Sequence, residues 1–291
     1  MPTVEVVEYT DPWCSWAWGT EPKVRKLRWR WGDRLAWRTV MGDLVQKRAQ
    51  DEVSDPDAVG RVAAHWRKVH SRTGMPWPVE LRWAPSSSAV AGCAVKAAGR
   101  QDGAAASRLL RSLRESCFVF SAPADRPDRV VALAAGIPGL DAGQLSKDID
   151  SDEVAESFLA DREETRRPND YVLRLKETHE GKGNAKPDGD GWRYVFPTLL
   201  FRGPGGEFTV PGWQPWAAYE AAMESAVPGS TSGGRADPTP EEALAEWATI
   251  TEQELLFLCG KGSRPPTEAV AYDWGAGQAW LRRDVARPVL T

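Results

Sequence analysis

Cysteine pairs are missing from this sequence. Its 291 residues hold four cysteines, Cys14, Cys93, Cys117 and Cys259, none within four positions of another. That excludes the short C-x-x-C spacing of a zinc site or a local dithiol. Histidine is scarce too: His65, His70 and His179 place no two rings on one helical face, so they read as surface or structurally satisfied residues, and no metal is expected. Charge of one sign is not in excess. With 37 basic and 41 acidic residues the net charge is −4, which gives no reason to expect a nucleic-acid partner or an anionic membrane surface. No apolar run is long enough to span a bilayer. The first residues lack a basic stretch followed by an apolar block, so no secretion signal is expected and the expected location is cytoplasmic. The glycine-rich residues 181–191 lack the phosphate-loop pattern around Lys182, and 188–191 miss the calcium-loop pattern; the segment reads as a plain mobile loop.

Tryptophan, by contrast, is plentiful, at 15 residues, and Trp13, Trp16 and Trp18 crowd around Cys14. Such rings serve equally as core or as groove lining. The β-branched content of residues 4–10 predicts a strand more strongly than its alternation does. Asp11-Pro12 breaks it. A helix follows over about 15–31, interrupted or restarted at Thr20-Glu21-Pro22. Val24, Leu27 and Trp31 fall on one face, and Lys23, Arg25, Lys26 and Arg30 read as solvated. Residues 35–41 form a second strand candidate, so the chain opens β–α–β with Cys14 at the first strand-to-helix corner.

Residues 51–180 read as mostly helical. Ser86-Ser87-Ser88 caps a helix ending at Ala98-Gly99, and Leu109, Leu110, Leu113, Cys117 and Phe118 form an apolar stripe on another. Cys93 and Cys117 read as buried structural thiols, Cys259 as partly exposed. Strands return near 197–202 and 206–210 with a hairpin turn between them. The composition of residues 228–240 is that of a linker, and short helices follow, one with a capping-box pattern at Thr251 and Glu254.

A thiol at a helix start faces backbone N–H groups and the helix dipole, which favour an anion. On position alone, Cys14 is expected to have a lowered pKa and to be the most reactive of the four.

The segment Asp11-Pro12-Trp13-Cys14-Ser15-Trp16-Ala17-Trp18-Gly19, continued by Thr20-Glu21-Pro22, resembles the active-site segment of DsbA-like, FrnE-related proteins, D-P-x-C-x-W-C-[YW]-[GA]. Met41-Gly42, the serine-rich entry to the 86–98 helix, and Phe196-Pro197-Thr198 extend the resemblance over roughly residues 3–225. It implies an α/β thioredoxin fold with a large helical insertion, and the linker composition of 228–240 with the capping box at Thr251 adds a C-terminal helical appendage. The corresponding boundaries are 1–50 and 190–227 for the thioredoxin-like domain, 51–189 for the insertion, 228–240 for a linker that protease would cut first, and 241–291 for the appendage. It also implies a cis Pro197 facing Cys14, with Trp13, Ser15, Trp16, Ala17, Phe196, Pro197 and Thr198 lining a substrate site.

The family's second cysteine is Ala17 here, so C-x-x-C has become C-x-x-A. A local disulfide cannot form. The leading expectation is a monothiol thiol–disulfide oxidoreductase. Cys14 would form mixed disulfides with a disulfide-containing peptide or small-molecule thiol substrate. No cofactor would be bound, and a low-molecular-weight thiol would serve as co-substrate. Two alternatives stand beside it. One is a thiol-cofactor-dependent isomerase or transferase resembling the kappa-class or 2-hydroxychromene-carboxylate enzymes. The other is a non-catalytic protease adaptor that binds through its surface.

Overall fold

The computed structural model describes residues 3–46, 53–176, 183–273 and 276–284. Its main sheet is built on β1 (Val4–Thr10). β2 (Leu35–Met41) pairs parallel on one side, β5 (Thr198–Gly203) antiparallel on the other, and β6 (Gly206–Pro211) lies outside β5, in the order β2-β1-β5-β6. All of β1 except Glu5 is buried. A strand covered on both faces has no reason to alternate polar with apolar, which is why its valines mark it better than its period does.

The parallel β1–β2 pair requires a crossover, and α1 (Ser15–Trp31) supplies it. The expected break at Thr20-Glu21-Pro22 is absent; the helix runs unbroken through Pro22. The ring removes one helical donor, but every residue of α1 except Arg28 and Arg30 is buried, so tertiary packing outweighs the local loss. The same burial corrects the reading of Lys23, Arg25 and Lys26 as solvated: they are 7%, 4% and 9% exposed.

The insertion contains α2 (Pro56–Thr73), α3 (Ala89–Gln101), α4 (Gly103–Phe118), α5 (Pro127–Ala134), α6 (Ala142–Asp148), α7 (Asp152–Thr165) and α8 (Asp170–Arg174). The stripe of Leu109, Leu110, Leu113, Cys117 and Phe118 is buried in its core with Trp13, Trp18 and Trp66. Helix α3 continues past Gly99 to Gln101. Ser88 is its N-cap residue but makes no side-chain cap bond, because its hydroxyl is used elsewhere, as described below. Within and just past the 181–191 segment expected as plain loop, the chain forms a hairpin of β3 (Lys186–Asp188) and β4 (Gly191–Arg193). His179 and residues 181–182 lie outside the described residues.

After α9 (Trp216–Ala226) the chain departs most from expectation. The C-terminal part has α10 (Pro240–Trp247) and α11 (Glu252–Cys259), each opened by a capping box, at Thr239 and Thr251. It also carries a second sheet of β7 (Thr249–Thr251), β8 (Ala269–Asp273) and β9 (Gln278–Arg282), ordered β7-β9-β8. It is not a purely helical appendage, nor is it loosely tethered. Residues 228–240 are bonded along α1. Arg235 N donates to Arg30 O at 2.9 Å, Trp29 Nε1 to Ala236 O at 2.6 Å and Trp31 Nε1 to Ser230 O at 3.0 Å. Lys26 pairs with Asp237 at 2.9 Å. One charge that looks solvated in the sequence, Lys26, helps to hold this segment beside the indoles of Trp29 and Trp31.

Candidate functional site

Cys14 is the N-cap residue of α1, in extended backbone. Its sulfur accepts from Ala17 N at 3.4 Å and donates to the Phe196 carbonyl at 3.4 Å. The Phe196–Pro197 peptide is cis, and Pro197 O accepts from Gly212 N at 2.7 Å. Thr198 turns its hydroxyl back to Val195 O at 2.6 Å. Cys14, Trp16, Ala17 and Phe196 share one buried cluster with Val7, Tyr9, Val172, Ala185 and Tyr194.

Trp13 and Ser15 point elsewhere. Trp13 packs in the insertion core and donates Nε1 to Ser87 O at 2.9 Å. Ser15 borders a small crevice beside Trp18, Trp66 and His70. Sequence adjacency to Cys14 did not place these two against it, because successive residues at a helix start face different directions.

The thiol is closed off: Cys14 is 5% exposed, Trp16 7% and Phe196 2%. Burial pushes the Cys14 thiol up to about 11. Asp11's charge adds to this, and the amides of Ala17 and Trp16 and the Arg114 cation oppose it without prevailing. The expected lowering is therefore reversed. Helix-start amides lower a thiol pKa when solvent or a cation can share the charge, but desolvation is the larger effect here.

Asp11 organises the corner, and as a site residue it escaped the sequence reading. It accepts from Trp13 N at 2.9 Å, Leu44 N at 2.8 Å and Ser88 Oγ at 2.9 Å. Ser88 Oγ in turn accepts from Val45 N at 3.0 Å. Burial pushes the Asp11 carboxyl up to about 6 despite these bonds. The available signal was a short acceptor side chain three residues before the thiol, a position able to take local amides.

Beneath the corner lies a buried ionic network. Arg114 bonds Glu21 and also Thr10 Oγ1, at 2.6 Å, with Glu8 3.5 Å away. Arg111 pairs with Glu115 at 2.6 Å and with Glu254 of α11 at 2.6 Å, and Arg25 reaches Glu254 at 3.1 Å. Burial alone would raise Glu21, but Arg114, Arg111 and Arg25 hold it down at about 2.

Among the described residues no group of three or more His, Cys, Asp or Glu side chains could hold a metal ion. None of their helices is long and apolar enough to cross a membrane. A groove of about 750 Å³ lies away from the sulfur, between β6, α8 and α9, with Tyr171, Thr209 and Ala221 in its walls.

A thioredoxin-type sheet, a cysteine at the β1–α1 corner and a cis-proline before β5 define a DsbA-like thioredoxin-fold protein. Residues 8–167 match the Thioredoxin_5 (thioredoxin) family, and the chain belongs to it.

Among solved structures, it is similar to a putative protein disulfide isomerase from Nitrosomonas europaea (TM-score 0.59, 16% identity, 77% of this chain and 97% of that one). It is also similar to the cytosolic disulfide reductase DsbM from Pseudomonas aeruginosa (TM-score 0.52, 18% identity, 75% and 98%). Likeness at these identities concerns the fold. By sequence, it is similar to the ClpXP adapter protein SpxH of Shouchella clausii, 23% identical over 96% of this chain and 89% of the relative. SpxH of Bacillus subtilis is 27% identical over 70% and 69%.

Proposed function

We propose that this protein is an adapter that binds a protein substrate and presents it to a ClpXP-type protease, with the DsbA-like fold kept as a binding scaffold. The observation that carries this reading is the state of Cys14: buried, with its pKa pushed up to about 11, donating its proton to Phe196 O, and without a cysteine at position 17. A thiol in that state is a poor nucleophile at neutral pH. The likeness to the Shouchella clausii adapter supports the same reading, because it runs over 96% of the chain and so takes in the C-terminal part, whereas the disulfide reductase DsbM covers 75%. A cytosolic location fits both this role and four free thiols.

A second reading is monothiol exchange through Cys14, favoured by the 3.4 Å contact of its sulfur with the residue before cis Pro197. In it, the Cys14 thiolate attacks a disulfide and releases one half as a thiolate. A small cytosolic thiol then attacks the mixed disulfide and restores Cys14.

One experiment separates the two. A proteolytically inactive ClpP is used as a trap in the native host, with the wild-type chain, with Cys14→Ser and with no chain. The adapter reading expects a set of trapped proteins that requires the chain and survives Cys14→Ser. Trapping that does not depend on the chain overturns it. Trapping lost in a folded Cys14→Ser protein transfers support to the thiol reading.

A further inference from the structure

The β3–β4 hairpin has few reasons of its own to be folded. Each strand has three residues, and two-stranded hairpins of this size are marginal in water. Its outer surface buries little: Trp192 is 51% exposed, and Pro187 opposite it is exposed as well. Yet its base is built into the buried cluster that holds Cys14. Ala185 before β3 and Tyr194 after β4 are 6% and 3% exposed, and both belong to the cluster around Cys14. From β4, the Arg193 guanidinium lies 4.9 Å above the Phe196 ring.

The two ends of the hairpin are held differently. Tyr194 is fixed by three contacts: it stacks on Tyr9 at 4.3 Å, its N–H donates to Thr165 O at 2.9 Å, and its hydroxyl accepts from Asn169 N at 2.9 Å. At the turn end, Arg166, just after α7, ties the hairpin to the rest of the fold. Arg166 Nε donates to Asp188 Oδ2 at 2.6 Å, while its Nη1 bonds Gly42 O and its Nη2 donates to Asp43 O at 3.3 Å. Gly42 is the residue against which the Phe196 ring packs. Arg166 therefore ties the hairpin to the turn that supports Phe196.

We propose that the β3–β4 hairpin is a strap closing the Cys14–Pro197 site, with Arg166 as its latch, and that Cys14 meets solvent when the Arg166–Asp188 contact opens rather than when the protein unfolds. The inference goes beyond the function proposed above and holds whichever of the two readings is right. Segments with little burial and few polar ties open locally at far lower cost than a core does. A group the strap covers is then labelled in proportion to the open population.

The test is alkylation by iodoacetamide, followed site by site by mass spectrometry. Cys117, 0% exposed in the insertion core, reports global unfolding. Arg166→Ala is expected to speed Cys14 labelling by about tenfold while Cys117 stays silent, the scale for loss of one partly buried ion pair. Asp188→Ala removes the acceptor of the same contact and leaves the other bonds of Arg166 in place, and decides the matter if the arginine variant folds poorly. The proposal is overturned if Asp188→Ala leaves the Cys14 rate at its wild-type value. It is equally overturned if Cys14 and Cys117 become labelled together in both variants.

Discussion

Cys14 and Phe196 stand 182 positions apart in the chain, and the thiol of one donates to the carbonyl of the other at 3.4 Å. The contact needs the proton to remain on sulfur. A thiolate there would face a carbonyl oxygen in a site almost closed to water.

This sets a pH dependence. Because the Cys14 pKa is pushed up to about 11, alkylation is expected to be slower at pH 7 than for an unhindered cysteine and to rise steeply up to about pH 11. The sign also holds for stability. A group whose folded pKa is raised favours the fold below its ordinary value near 9 and loses that contribution as pH rises through 11. A rate profile by mass spectrometry checks the first; a plateau already reached by pH 7 would contradict it.

Asp11 gives a second pH dependence. Its folded value is raised from 3.8 to about 6, so its contribution to stability is present below 3.8 and is lost as pH rises through 6. Urea unfolding of wild type and Asp11→Ser at pH 4.5 and 7.5 isolates it. The destabilisation caused by the variant should be larger at the lower pH.

Glu254 is 0% exposed and faces both Arg25 and Arg111. Removing one partner from a buried ionic group costs about 3–5 kcal/mol, because the remaining charges stay buried. Glu254→Ala should lose stability on that scale and loosen the C-terminal part from α1. Limited proteolysis provides the readout: residues 228–240 should resist cleavage in the wild type and become the first cut in the variant.

Gly42 touches the site through sterics alone. A Cβ there would lie 2.2 Å from the Phe196 ring, so the ring must move. Gly42→Ala should cost about 1–3 kcal/mol, in the range of overpacked cores. A thermal midpoint unchanged from wild type would contradict the placement of Phe196.

The parts of the fold legible in the sequence are those governed by local rules. The valines of β1, the corner at Asp11-Pro12, the apolar stripe ending at Cys117 and Phe118, and the capping box of Thr251 and Glu254 depend on residues a few positions apart. The cysteine corner and Phe196-Pro197-Thr198 were legible as well, as motifs whose resemblance predicted a meeting.

Only the tertiary structure decided which faces are covered. It made α1 continuous through Pro22 and buried Lys23, Arg25 and Lys26. It diverted the Ser88 hydroxyl from capping its helix to bonding Asp11, and it set Ala185 and Tyr194, on either side of the β3–β4 hairpin, in the cluster that holds the sulfur. The chemistry of Cys14 turned on that covering. A helix start lowers a thiol pKa through nearby amides, which sequence position determines. Desolvation raises it through everything packed around the sulfur, and that packing includes Phe196, Tyr194, Ala185 and Val172, each more than 150 positions away.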